Sequence, residues 1–105
     1  MVVNNSETAD KLREYFNECG LSDTSVGYIL LLEAVLYRMQ SPCSTLQDIY
    51  YKMADKHDCL YNTIRCGIKA TIQEANVRRE AAGKEPLTVR NFVTTCVNRY
   101  SDISL

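Results

Sequence analysis

The sequence predicts an all-α fold: a compact domain of five or six helices with an embedded helix-turn-helix. Apolar residues recur at spacings of three and four in five separate segments, which is the period of a helix that buries one face. The chain has only four glycines and two prolines, which favours helices over a β fold rich in turns. Its 105 residues are typical of one domain, so we expect residues 1–105 to form a single unit.

The first two predicted helices form the N-terminal half of the chain. The first covers about 7–19 and ends before Gly20, a residue type that readily adopts the left-handed conformation after a helix. The second covers about 24–40 and ends at Ser41-Pro42, because the residue before a proline disfavours the helical conformation. Apolar side chains surround most of this second helix, which predicts a buried central position. They are Val26, Ile29, Leu30, Leu32, Val35, Leu36 and Met39.

Three further helices are predicted in the C-terminal half. The third covers about 45–57, with Ser44 as its N-cap and Gln47 reaching back to complete a capping box. The fourth covers about 60–81, and the fifth starts after Thr88 as its cap and runs to about 100, beyond which the C-terminal residues are expected to fray. Nearly complete burial is expected for Leu30, Ile49, Met53, Ile64, Ile68 and Phe92.

Segment 53–68 has the residue spacing of a helix-turn-helix, and the whole motif is expected at about 45–77. Ala54 is small where two helices must approach closely, and Asp58, four residues later, tolerates a left-handed conformation at the turn. Ile64, six residues after Asp58, is expected to anchor the second helix of the motif to the first. This spacing places the outer face of the fourth helix where a DNA major groove can receive it. A helical hairpin with no role in DNA binding fits the same spacing.

The outer face of the fourth helix carries residue types that contact bases and phosphates. This face carries Asn62, Arg65, Cys66, Lys69, Gln73 and Asn76, and the first acidic residue of the helix is Glu74. Solvated helix faces usually mix acidic residues with basic ones. The face therefore favours nucleic acid as a partner.

The charge distribution agrees with a nucleic-acid partner for the C-terminal half. Residues 1–60 contain five basic and nine acidic residues, a balance of −4. Residues 61–105 contain seven basic and four acidic residues, a balance of +3. A basic half can bind DNA although the net charge of the chain is −1, because affinity depends on local phosphate contacts. An ordinary solvated surface is the alternative explanation.

Segment 27–35 reads Gly-Tyr-Ile-Leu-Leu-Leu-Glu-Ala-Val and resembles the Gly-Tyr-x-x-Leu-x-Glu-Ala-Ile motif of a bacterial effector domain. That domain is the C-terminal DNA-binding part of the sporulation-initiation response regulator (stage zero sporulation protein A) family of spore-forming Firmicutes. Segment 49–56, Ile-Tyr-Tyr-Lys-Met-Ala-Asp-Lys, is similar to the family's Leu-Tyr-Pro-Asp-Ile-Ala-Lys-Lys. The similarity continues through the fourth helix and past Pro86, so that it spans about residues 14–100.

The resemblance implies an all-helical domain that binds short promoter boxes through its helix-turn-helix, often as a head-to-tail homodimer on duplex DNA. In the family this domain follows a phosphorylated receiver domain, whereas here we expect the effector domain to stand alone, without phosphorylation control in cis. The reading face differs from that of the family. Arg65 stands in place of an acid, Thr63, Cys66 and Ala70 stand in place of Arg, Arg and His, and only Lys69 keeps its charge type.

The helix face and the resemblance together predict sequence-specific binding of duplex DNA and regulation of transcription. The alternative is a protein–protein interaction module that kept the fold, lost DNA reading and modulates a related regulator. The residues predicted to contact DNA are Asn62, Thr63, Arg65, Cys66, Lys69, Ala70, Gln73, Arg78 and Arg79.

Other classes of function are disfavoured. A single histidine, His57, with no Ser/His/Asp set and no glycine-rich phosphate loop, argues against an enzyme with a small-molecule substrate. His57 is expected to be a partly buried residue at a helix end.

The five cysteines are odd in number and include no C-x-x-C pair, so we expect free thiols and neither a metal nor a cofactor. The longest apolar run, 28–32, is too short to span a bilayer and no signal peptide is visible, so we expect a cytoplasmic protein without membrane contact.

Overall fold

The computed structural model describes residues 5–100, with side chains from Glu7 onward, and these residues form five α-helices and no strand. In chain order the helices are α1 (Asn5–Glu18), α2 (Val26–Gln40), α3 (Leu46–Lys56), α4 (Tyr61–Ala81) and α5 (Val89–Tyr100). The all-α prediction is confirmed, and each helix boundary lies within two residues of the predicted one. The expected fraying of residues 101–105 lies outside the described residues.

Gly20 ends α1 as predicted. Its φ is 95°, and the N–H of Leu21 donates to the carbonyl of Phe16 at 3.0 Å, which closes the hydrogen-bonded ring of a left-handed helix end. The chain therefore leaves α1 in a fixed direction, towards α2.

The N-cap of α3 is Thr45, so the prediction of Ser44 is wrong by one residue. The Thr45 hydroxyl accepts from the N–H of Asp48 at 3.1 Å, and the Asp48 carboxylate accepts from the N–H of Thr45 at 3.4 Å. Both registers fit the capping-box pattern. The observed register places a carboxylate, rather than the amide of Gln47, at the positive end of the helix, where a negative charge is more stabilising.

α2 lies at the centre of the fold and contacts each of the other four helices. Five of the six residues predicted as core are nearly inaccessible to solvent: Ile49, Met53, Ile64, Ile68 and Phe92. Between α1 and α5, the ring of Phe92 stacks on Tyr15 with 5.8 Å between centroids, and lies 5.1 Å from the ring of Phe16. Leu30 is only half-buried, so its predicted burial is wrong.

The backbones of α2 and α4 are in direct contact where Gly27 meets Gly67. A Cβ added to Gly27 would overlap the carbonyl group of Gly67 and would lie 3.0 Å from the Cβ of Thr71. A Cβ added to Gly67 would meet only the Cδ1 of Leu30, at 3.0 Å. The packing therefore requires a glycine at position 27, whereas at position 67 a flexible side chain can give way.

The outward face of α2 is uncovered among the described residues, which corrects the expectation that the apolar side chains around most of this helix are buried. Val26 is 78% exposed and Ile29 is 63% exposed. The other four helices pack against the remaining sides of α2. Apolar periodicity shows that a side chain is suited to burial, but the packing of the whole chain decides whether another element reaches it.

Candidate nucleic-acid interface

A tight turn of four residues joins α3 to α4. Asp58 lies in this turn with φ 52°, the left-handed conformation that the sequence predicts. The N–H of Cys59 donates to the carbonyl of Ala54 at 2.9 Å, as in a helix end with a left-handed residue. Ala54 and Ile64, the residues expected to join the two helices, are both buried. The left-handed conformation of Asp58 is therefore confirmed, whereas the helix-turn-helix as a DNA-binding motif stays a prediction.

Seven of the residues predicted to contact DNA lie between positions 62 and 73 of α4, and all seven are exposed. Three of them, Arg65, Lys69 and Gln73, line an open groove together with Tyr50 of α3 and Arg90 of α5. We call these three residues the polar flank of α4. The structure thus brings three of the predicted side chains, two cations and one amide, together on one side of the helix.

The other predicted residues of this part of α4 lie away from the groove. Helical spacing places Thr63 and Ala70 on the opposite flank, which they share with Gly67 next to α2. By the same spacing Asn62 lies on the side of Lys69 and Gln73 but nearer the start of the helix, and Cys66 lies on the outermost surface between the two flanks. Hydrogen-bonding and cationic groups are therefore concentrated on the polar flank and on the surface beside it.

Arg78 and Arg79 are held by other parts of the protein. The Nε of Arg78 donates to the carbonyl of Gly20 at 2.7 Å. Arg79 donates to the carbonyls of Glu85 at 2.7 Å and Cys19 at 3.3 Å. Since α4 rises 1.5 Å per residue, Arg79 lies about 15 Å along the helix from position 69. Both arginines thus connect the last turns of α4 to the end of α1, and the structure does not place them with the polar flank.

Two aromatic side chains that were not predicted as site residues lie next to the start of α4. The rings of Tyr51 and Tyr61 are 4.5 Å apart, and Tyr51 is 55% exposed. Tyr50, on the buried side, has its pKa raised to about 12 by burial, with Arg65 opposing the shift, so its phenol stays neutral at physiological pH. The sequence does contain a sign that Tyr51 is exposed, because Tyr51 does not lie on the apolar face of α3 that includes Ile49. Tyrosine hydroxyls are among the groups that bind DNA phosphates.

Glu33 of α2 holds the C-terminal end of α3. Its Oε1 accepts from the Nζ of Lys56 at 2.8 Å, and its Oε2 lies 2.7 Å from the Nε2 of His57. Burial raises the pKa of the Glu33 carboxyl, but the hydrogen bonds from Lys56 and His57 outweigh burial, so that this pKa lies below its usual value. His57 is exposed rather than partly buried as predicted, because its ring reaches over the surface to Glu33. The three residues fasten the beginning of the turn to α2.

Replacing Glu33 with glutamine is expected to lower the free energy of unfolding at neutral pH by on the order of 1 kcal/mol, since both partners lose a charged acceptor. The folded-state pKa of Glu33 is below its ordinary value of 4.5. The stabilisation is therefore present above the unfolded-state pKa and is lost as the pH falls through the folded-state pKa. Urea denaturation at pH 7 and pH 3 measures the difference.

The matched control for this prediction is Glu74→Gln. Glu74 is an exposed carboxylate that pairs with Arg78 at 3.5 Å, and its replacement is expected to change stability by under about 0.5 kcal/mol. A larger loss for Glu33→Gln at pH 3 than at pH 7 would contradict the assigned direction of the pKa shift.

Within residues 5–100, no three His, Cys, Asp or Glu side chains are grouped as metal ligands, and all five cysteines are free thiols. No helix in this part of the chain is long and apolar enough to cross a membrane. No protein-family model matches the chain, and no curated protein or solved structure is significantly similar to it. The resemblance to the sporulation regulators therefore stays a prediction from the residues, and the case for a function rests on the surface of α4.

Proposed function

We propose that this protein binds duplex DNA in a sequence-specific manner through α4 and thereby regulates transcription. The observation that carries the proposal is the exposed row of Asn62, Arg65, Lys69 and Gln73. The row extends over about three turns of the helix without an acidic residue. It lies on the helix that follows the tight turn after α3, which is where a helix-turn-helix protein presents its recognition helix to the major groove.

The order of the residues along α4 supports a division of roles. Residues near the start of a recognition helix reach base edges first, so Asn62, Thr63 and Arg65 are the proposed base readers. The Arg65 guanidinium is suited to bind guanine through two parallel hydrogen bonds, an interaction worth about 1–3 kcal/mol of discrimination. Lys69, one turn further on, is proposed to contact a phosphate.

The remaining parts of the proposal follow from the same interface. The resemblance to the sporulation regulators supports promoter DNA as the target and a homodimer on that DNA, and a transcription regulator of this kind acts in the cytoplasm. Cys66 and Ala70 lie close enough to the row to contact DNA. Arg78 and Arg79 are not needed for the interface, because their side chains bind carbonyls at the other end of α4.

Two substitutions separate base reading from phosphate binding. Selection of genomic fragments with the purified protein first identifies a bound site. Replacing Arg65 with alanine is then expected to relax the preference at one base pair by about 1–3 kcal/mol. Replacing Lys69 with alanine is expected to weaken binding to all sequences and to reduce the salt dependence, the slope of log K against log salt, by about one unit.

Arg13→Ala serves as the control for both variants. Arg13 lies on α1, where it pairs with Asp10 at 3.7 Å, so its loss is expected to leave the preferred site and the salt slope unchanged. If the wild-type protein binds no duplex DNA even at low salt, the proposed function is wrong.

The second candidate function is a protein–protein interaction module that modulates a related regulator. The observation that favours it is the uncovered apolar surface of α2, where Val26 and Ile29 lie one helical turn apart. Leu60, at the start of α4, is also 75% exposed. Such a module binds a purified regulator with a related effector domain at any salt concentration that preserves the fold, whereas a DNA complex weakens steeply with salt.

A further inference from the structure

Cationic side chains from three helices line one continuous groove. It consists of two adjoining hollows of about 290 and 400 Å³, which share Leu46 and Arg90. Arg38 of α2 lies in the first hollow, and Arg65 and Lys69 of α4 lie in the second. Arg90 of α5 lines both hollows and therefore lies between the first and the second. We call this surface the cationic groove.

The cations of the groove lack negative partners within the described residues. No acidic side chain lines either hollow, and none of the four cations forms an ion pair there. The other arginines between residues 7 and 100 are all engaged by a carboxylate, a carbonyl or an aromatic ring; these are Arg13, Arg78, Arg79 and Arg99. Like charges that gather without counter-charge repel one another, so the groove favours a ligand that brings negative charge.

We propose that the cationic groove holds the sugar–phosphate backbone of one DNA strand beside α4. The proposal rests on the proposed function, because Arg65 and Lys69 belong both to the row on α4 and to the groove. A helix in the major groove has a backbone strand beside it. The cations follow one another in the order Arg38, Arg90 and then the α4 pair, so a ligand with negative charges in a row can contact all of them. A compact anion would meet only some of them.

The consequence is that α2 and α5 take part in binding although neither is the recognition helix. Contacts of Arg38 and Arg90 to phosphates add affinity for every sequence and carry no sequence information. Each phosphate neutralised contributes about −0.9 to the slope of log K against log salt. Phosphate contacts from Arg38, Arg90 and Lys69 therefore give a slope of about −2.7, while Arg65, at the edge of the groove next to the bases, reads a base.

The test compares Arg38→Gln and Arg90→Gln with the wild-type full chain on the duplex obtained by fragment selection and on an unrelated duplex. Each variant is expected to reduce the magnitude of the salt slope by about 0.9, and the double variant by about 1.8. Affinity is expected to fall by the same factor for both duplexes, with the preferred site unchanged. Arg13→Gln, outside the groove, is expected to keep the wild-type slope, and thermal denaturation verifies that each variant is folded.

The outcomes separate this inference from the proposed function. If the Arg38 and Arg90 variants keep the wild-type salt slope while Arg65→Ala relaxes the preferred site, the backbone inference is wrong and the proposed function stands. If the wild-type protein binds no duplex but binds polyglutamate, and both groove variants weaken that binding, the groove takes an acidic protein segment and both proposals are wrong. If the wild-type protein binds neither duplex DNA nor polyglutamate, both proposals are also wrong.

Discussion

Replacing Gly27 with alanine is expected to lower the free energy of unfolding by about 3 kcal/mol or more, at or beyond the upper end of the usual range for an overpacked core. The added Cβ would overlap the carbonyl group of Gly67 and press on the Cβ of Thr71, 3.0 Å away. Backbone atoms of α4 cannot rotate aside as a side chain does. The overlap is relieved only by moving α2 away from α4, which loosens the contact between the central helix and the longest helix of the fold.

The control is the same substitution on the other side of the crossing, Gly67→Ala. Its Cβ would meet only the Cδ1 of Leu30, the end of a flexible and half-buried side chain, at 3.0 Å. Alanine is also favoured over glycine in a helix by about 1 kcal/mol, which offsets the crowding. Urea denaturation of both variants measures the contrast. Equal effects of the two substitutions would show that the helices do not cross in backbone contact at these glycines.

Replacing Phe92 with alanine is expected to lower the free energy of unfolding by about 3–5 kcal/mol through loss of buried surface and formation of a cavity. Phe92 is 2% exposed, and its ring contacts those of Tyr15 and Phe16. Tyr15 and Phe16 lie on α1, so that the cavity would open between α1 and α5. Denaturant-induced unfolding followed by circular dichroism gives the change in free energy.

A matched truncation at the surface is Val77→Ala. Val77 lies on α4 and is 70% exposed, so its shortening is expected to change stability by under about 0.5 kcal/mol. If Phe92→Ala shifts the unfolding free energy no more than Val77→Ala, then Phe92 does not belong to a packed core.

The sequence predicts the candidate site only in part. Asn62, Arg65, Lys69 and Gln73 were recognisable because helical spacing alone brings residues three and four apart to one face. The sequence could not reveal that Arg79 binds the carbonyls of Cys19 and Glu85, because those groups come from separate segments of the chain. A basic residue near the end of a helix is compatible both with DNA binding and with a contact inside the protein.

The groove beside α4 could not be predicted from the sequence either. Arg38 and Arg90 belong to α2 and α5, and no spacing in the chain relates them to Arg65. They line adjoining hollows only because α2 packs against α3, α4 and α5, and α5 packs against α4, in this fold. A shared groove of this kind depends on the positions at which helices cross.

The sequence by itself determined the five helices, the left-handed residues Gly20 and Asp58, and the polar row on α4. Each of these depends on interactions within a few residues, which short patterns encode directly. Only the tertiary structure decided that Val26 and Ile29 stay exposed, because burial requires a second element on the same side. It likewise decided that the glycines of α2 and α4 meet, because a close crossing depends on how distant segments pack.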